Sequence, residues 1–261
     1  MEAPTLYAEF LVKALNRMEY DTLNLGDMEI LSGPAVIRGM NEVANFPLIS
    51  SNLSSADSLW KPYVIKEIDG VRVAVLGLLS PRYPIEKSFV SVETPQTSLK
   101  RSMEDLKEKA DVFVLLSNLN KKSTLDLVQE IPGIDVTVMS HKVKEFMDGK
   151  KVADTLVVSL GNKGENVGVI DMTWDLRQKG IINFVYESYP LDKNIPDDPG
   201  IIDLLQEYTR DINAWRDTEY KKKQMQSQEM KALIERGLKM TPEEFHKFFQ
   251  EEMQKREDIR P

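Results

Sequence analysis

One stretch constrains this chain more than any other: YVIKEIDGVRVAVLGLLS, residues 63–80. Asp69-Gly70 at its middle is a dipeptide that readily takes the left-handed positions of a two-residue hairpin turn. The arm beyond it, VRVAVLGLL, is almost continuously apolar, so both of its faces must be kept from water. The stretch reads as a β-hairpin whose second arm is a central strand. A strand of that kind needs a layer above and a layer below, which predicts a layered α/β domain.

The flanking segments supply those layers. Residues 5–19 place Leu6, Phe10, Leu11, Ala14, Leu15 and Met18 on one helical stripe, and a short strand DTLNL then ends at Gly26. Gly33-Pro34 opens a second helix, about residues 34–44, and FPLISSNL holds the next strand. Beyond the hairpin, helix and strand alternate: a helix over 97–109, the buried strand DVFVLLS, a helix over 121–130 and the buried strand DVTVMS. TLVVSLG, NVGVIDMTWDL and INFVYESYPL close the domain as a strand meander. Alternation followed by a meander predicts mixed sheets flanked by helices, over residues 1–199.

Residues 200–261 read as a helical tail. Ile201, Leu204, Leu205, Tyr208, Ile212 and Trp215 recur at helical spacing, and the polar run EYKKKQMQSQEMK is either a solvated helix or a hinge. Thr241-Pro242-Glu243-Glu244 is a helix start, with Thr as cap and acids near the positive end. Phe245, Phe248, Phe249 and Met253 then share one face, which either packs back on the domain or meets a partner or a second copy.

Composition narrows the chemistry. A net charge of −8 speaks against nucleic acid as a partner, and no run reaches the roughly 20 apolar residues of a membrane span. Cysteine is absent, and His141 and His246 are the only histidines. A metal site would rest mainly on Asp, Glu and Asn oxygens, which favours Mg²⁺, Ca²⁺ or Mn²⁺ over zinc. Polar residues fall just past four strand ends: Asp27 with Glu29, Asn52, Ser117 with Asn118, and Ser140 with His141. Functional groups gather at such ends in open α/β sheets, and Asp27, Asn118 and His141 are placed to converge on one metal. Asp and Asn are also ordinary turn residues, and Glu29 an ordinary helix-start carboxylate. His246 reads as a surface residue of the tail.

The order of these segments resembles the catalytic domain of bacterial 5′-nucleotidases and related calcineurin-like metallophosphoesterases. ALNRMEYDTLNLGDME lies where that family has a helix, a strand and the motif GNHE. FPLISSNL and KPYVIKEIDGVRVAVLGLLSP follow, then ADVFVLLSNLN where the family has SHLG, and IPGIDVTVMSHKV where it has GGHSH. The resemblance implies a metallophosphoesterase-like sandwich and a pair of divalent metals that hydrolyse phosphate esters.

Carried over position by position, the implied site is eroded. The motif asparagine falls on Asp27, which still offers an oxygen, but the catalytic histidine falls on Met28. A thioether can neither donate a proton nor stabilise an oxyanion. The SHLG histidine falls on Asn118, the first GGHSH histidine on His141 and the second on Val143. The family's D-x-H and GD motifs precede the helix with which this sequence begins, together with the first strand or two, so nothing here matches them.

The function implied is a degenerate, inactive metallophosphoesterase-like domain kept as a binding or scaffold module. The alternative is a residual Mn²⁺- or Mg²⁺-dependent phosphoester hydrolase using Asp27, Asn118 and His141. The resemblance implies a periplasmic setting on the expectation that the sequence is a fragment of a longer, exported protein. The residues as given encode no export signal, which implies the cytoplasm.

Overall fold

Asp69 and Gly70 both take positive φ, 51° and 80°, the backbone of a tight hairpin turn. They join β4 (Tyr63–Ile68) to β5 (Val71–Leu79), antiparallel and in register from Ile68↔Val71 to Tyr63↔Leu76. The computed structural model describes residues 3–80, 89–140, 148–161, 164–175, 177, 178, 180–237, 241 and 244. Within them β5 lies inside a six-stranded mixed sheet, order β4-β5-β7-β8-β10-β9, completed by β7 (Val112–Asn118), β8 (Val136–Met139), β10 (Thr155–Ser159) and β9 (Lys150–Val152). β5, β7, β8 and β10 run parallel, and the outer strands β4 and β9 run against them.

The apolar content of β5 divides between two cores, as a doubly covered strand requires. On one face Leu76 and Leu78 join Leu115 of β7, Leu99 and Leu106 of α4 (Pro95–Leu106) and Leu127 of α5 (Lys121–Glu130). All six side chains are fully buried, and each such burial is worth about 1.5–3 kcal/mol. On the other face lies a second layer made of two separate patches. One is β1 (Leu23–Asn24) paired parallel with β2 (Leu48–Ile49); the other is the long antiparallel hairpin β11 (Asn166–Asp175) and β12 (Gly180–Pro190).

Outside β1 and β2, α1 (Ala3–Arg17) and α3 (Pro34–Val43) close the layering, with Ala8, Val12, Val36, Ile37 and Met40 packed on Leu25 and Leu48. Between β1 and α3 sits a single helical turn, α2 (Asp27–Leu31). A small pair, β3 (Leu53–Ser54) with β6 (Ser91–Val92), divides the predicted FPLISSNL strand into β2 and β3. The helix predicted from residue 97 starts earlier, because Thr94 caps it by accepting the Thr97 N–H and Pro95 fits its first turn.

The described residues divide into two compact units. The first runs from Ala3 to Gln206 and the second begins at Glu207. The last helix, α6 (Pro199–Gly237), continues through the polar run that the sequence left open between helix and hinge. At the predicted helix start in the tail, Thr241 Oγ1 accepts the Glu244 N–H while the Glu244 carboxylate accepts the Thr241 N–H, a reciprocal cap. Phe245, His246, Phe248, Phe249 and Met253 lie outside the described residues.

Candidate functional site

The site is built where β1 ends. Leu25 completes the strand by donating its N–H to the Ile49 carbonyl, and Gly26, buried, turns the chain into α2. Glycine leaves room there: a Cβ would stand 2.9 Å from Glu29 Oε2 and 3.0 Å from Asn118 Nδ2, and either side chain would have to shift to admit it. Those two distances also give the local geometry. The end of β7, carrying Asn118, comes up against the Gly26 turn, so the stretch holding Asp27 and the side chain of Asn118 are neighbours.

The individual side chains divide the roles. Asp27 is the first residue of α2 and half-buried. Met28, where the resemblance puts the family's catalytic histidine, is 66% exposed. Glu29 turns back: its Oε2 accepts the Gly26 N–H at 2.9 Å, satisfying a backbone donor at the helix start. Glu29 is therefore a capping residue here. Ser140 donates its N–H to the Ser117 carbonyl at 3.0 Å, which sets the end of β8 beside the end of β7. His141 and Val143 follow directly and lie outside the described residues.

Two of the strand-end residues are internal locks. Asn52 is buried and pairs with Leu79 as a strand backbone would, accepting its N–H and donating to its carbonyl, each at 2.9 Å. Ser117 is buried and shares a 2.9 Å hydroxyl contact with Thr124 of α5. Sequence reasoning missed Asn24, whose Nδ2 donates to the carbonyls of Leu78 and Leu116, both at 3.2 Å, beneath the site. The available signal was Gly77: a Cβ there would lie 2.7 Å from Asn24 Cγ and closer still to Oδ1. The glycine lets the asparagine reach the sheet backbone.

Among the described residues no group of three or more His, Asp or Glu side chains could hold a metal ion. Asp27 and Asn118 offer one carboxylate and one amide oxygen, which do not make a two-metal donor set. At the opposite end of the sheet, burial pushes the Asp135 carboxyl above its ordinary range, opposed by the Phe113 N–H that it accepts at 2.8 Å.

These features define a class: an α/β sandwich with a turn motif at the strand ends beside the tip of a parallel strand. Solved structures share the fold. The 5′-nucleotidase precursor from Thermus thermophilus matches with a TM-score of 0.66 and 23% identity over 80% of this chain and 46% of that one. The calcineurin-like phosphoesterase YfkN from Bacillus subtilis matches with a TM-score of 0.66 and 18% identity over 79% of this chain and 75% of that one.

In sequence, the uncharacterized metallophosphoesterase YunD of Bacillus subtilis is 32% identical over 177 residues, covering 65% of this chain and 38% of that protein. The trifunctional nucleotide phosphoesterase protein YfkN of the same organism is 23% identical over 77% of this chain and 17% of its own length. No family model matches the sequence. The chain is distantly homologous to proteins of the metallophosphoesterase/5′-nucleotidase family over most of its length. It spans less than half the length of the curated relatives it matches.

Proposed function

We propose that this chain serves as a non-catalytic, metallophosphoesterase-like binding or scaffold module. The observation that carries the reading is the α2 turn. An exposed methionine, Met28, stands at the histidine position, and the adjacent carboxylate of Glu29 is held on the Gly26 backbone. A thioether can neither move a proton nor steady an oxyanion, and an anionic carboxylate cannot stabilise the oxyanion of a phosphate ester either. The test is hydrolysis of a nucleoside 5′-monophosphate and an aryl phosphate by the purified chain with excess Mn²⁺ or Mg²⁺. The expected result is turnover at the level of the protein-free blank; metal-dependent turnover abolished by Asp27→Ala would overturn the reading.

A second reading has one observation in its favour, the juxtaposition of the Gly26-Asp27 turn with Asn118. With His141 it would hold a single Mn²⁺ or Mg²⁺ and support residual phosphoester hydrolysis, the outcome that the same assay reads in the other direction. The tail is proposed as the self-association or partner-docking segment, and sedimentation of the full chain against one ending near residue 218 tests it. The family resemblance supports a periplasmic site of action, which cell fractionation tests.

A further inference from the structure

At the end of the sheet away from the α2 turn, a cleft of about 400 Å³ is lined by Asp135, Lys151, Asp154, Ile181, Asn183 and Phe184. Its volume lies in the range of small-molecule sites. Asp135 comes immediately before β8, and its backbone is tied to strands on both sides. Its N–H donates to the Phe113 carbonyl at 3.0 Å, and its own carbonyl accepts the Leu156 N–H at 2.9 Å. Phe184 of β12 packs against the cluster of Val136, Leu156 and Val158, which brings its ring to the same strands. Lys151 of β9 and Asp154 of the turn after it are both well exposed and form a loose pair at 3.7 Å.

Asp135 is the one lining acid that is partly withdrawn from water. Burial pushes its carboxyl above the ordinary range, and among the described residues no cation offsets that cost. Its side chain has a single partner there: Oδ2 accepts the Phe113 N–H at 2.8 Å, which leaves Oδ1 unbonded. Holding one N–H takes one neutral oxygen, and an asparagine would supply it without a desolvated charge. The charge is therefore surplus to the fold, and a titratable group kept at such a cost in a cleft marks a binding site. Phe184 adds an aromatic surface to the same lining. A ring and a carboxylate in one cleft are the elements by which proteins recognise organic cations.

From this geometry we infer that the cleft binds a small primary amine, in its ammonium form and with an apolar body. The ammonium donates to Asp135 Oδ1 and offsets the desolvation of that carboxylate, while the body lies along Ile181 and Phe184. An anion would be repelled by Asp135 and Asp154. A divalent metal lacks a donor set, since among the described residues no group of three or more His, Asp or Glu side chains could hold one. The inference goes beyond the binding-module reading and does not depend on it, because the cleft and the α2 turn lie at opposite ends of the sheet.

The experiment titrates phenethylammonium into the 261-residue chain near neutral pH and follows backbone amide NMR shifts. Phenethyl alcohol, of the same shape without the charge, is the control. The expected result is saturable shifts at the Phe113, Asp135 and Phe184 amides, with the alcohol weaker by about tenfold or more, the worth of a hydrogen bond to a charged group. Asp135→Asn keeps an acceptor for the Phe113 N–H, and its own spectrum reports that it folds. It should weaken the amine by about the same factor and leave the alcohol unchanged. The inference is overturned if those amides show no saturable shift, if amine and alcohol bind alike, or if folded Asp135→Asn binds the amine as well as the parent does. It is also overturned if N-acetyl-lysine amide binds about tenfold tighter than the amine, which makes the occupant a lysine side chain of a partner protein. The phosphatase assay decides the binding-module reading separately, so either can fail while the other stands.

Discussion

At the scale of single residues, Gly77 lies tight against the side chain of Asn24. Gly77→Ala drives a methyl group into the asparagine side chain and is expected to cost about 1–3 kcal/mol, read by urea unfolding. Adding Asn24→Ala removes the obstructing atoms and the unpaired Oδ1 but also the bonds to the Leu78 and Leu116 carbonyls, so it should recover only part of that loss. Asp135 gives a pH prediction. Burial raises its folded pKa above the unfolded value of 3.8, so its protonated form is favoured in the fold, and stability falls as pH rises from about 3.8 through the folded value. Asp135→Asn still accepts the Phe113 N–H, and its stability relative to the parent should improve across that window and then level off. Met28→His, read by the same phosphatase assay, should leave turnover at the blank, because one imidazole beside Asp27 and Asn118 does not make a two-metal donor set.

At the scale of elements, caps and turns decide where helices and strands begin. Asn120 caps α5: its Oδ1 accepts the Ser123 N–H at 3.0 Å and its Nδ2 donates to Ser123 Oγ at 2.9 Å. Asn120→Ala should cost about 1 kcal/mol in thermal or urea unfolding without altering the fold. The β4–β5 hairpin and α5 are legible in sequence because their signals are local: a turn dipeptide in one case, a periodic stripe with an asparagine cap in the other. β6 and β9 are not, since Ser91-Val92 and Lys150-Lys151-Val152 carry no strand pattern of their own. They become strands only by pairing, with β3 and β10 respectively. α2 escapes a sequence reading because a single turn has no period to show, and its Gly26–Glu29 contact is visible only once the chain folds. In α6 the polar run stays helical beyond the reach of an apolar stripe, helped by neighbours such as Lys222 with Glu219 and Gln224 with Tyr220.

At the scale of the whole molecule, a ligand that binds only the folded chain must stabilise it by mass action. Mn²⁺ at 100 times its Kd would add about 2.7 kcal/mol, a rise in Tm of several degrees. The binding-module reading expects no such rise, measured by calorimetry with and without millimolar Mn²⁺.

Residue order was enough to specify the hairpin, the doubly covered strand β5 and the alternation of helices with β7 and β8, and it placed Met28 where the resemblance puts a histidine. Each is written in local pattern or in a position within a motif. Only the folded chain shows that Glu29 is spent on a backbone cap, that Asn52 and Ser117 are internal locks, and that Asn118 meets the Gly26 turn. The splitting of the second layer into two patches likewise emerges only on folding. The physical reason is the same throughout: a polar side chain's role depends on which unpaired backbone group or carboxylate reaches it, and those partners come from distant parts of the chain.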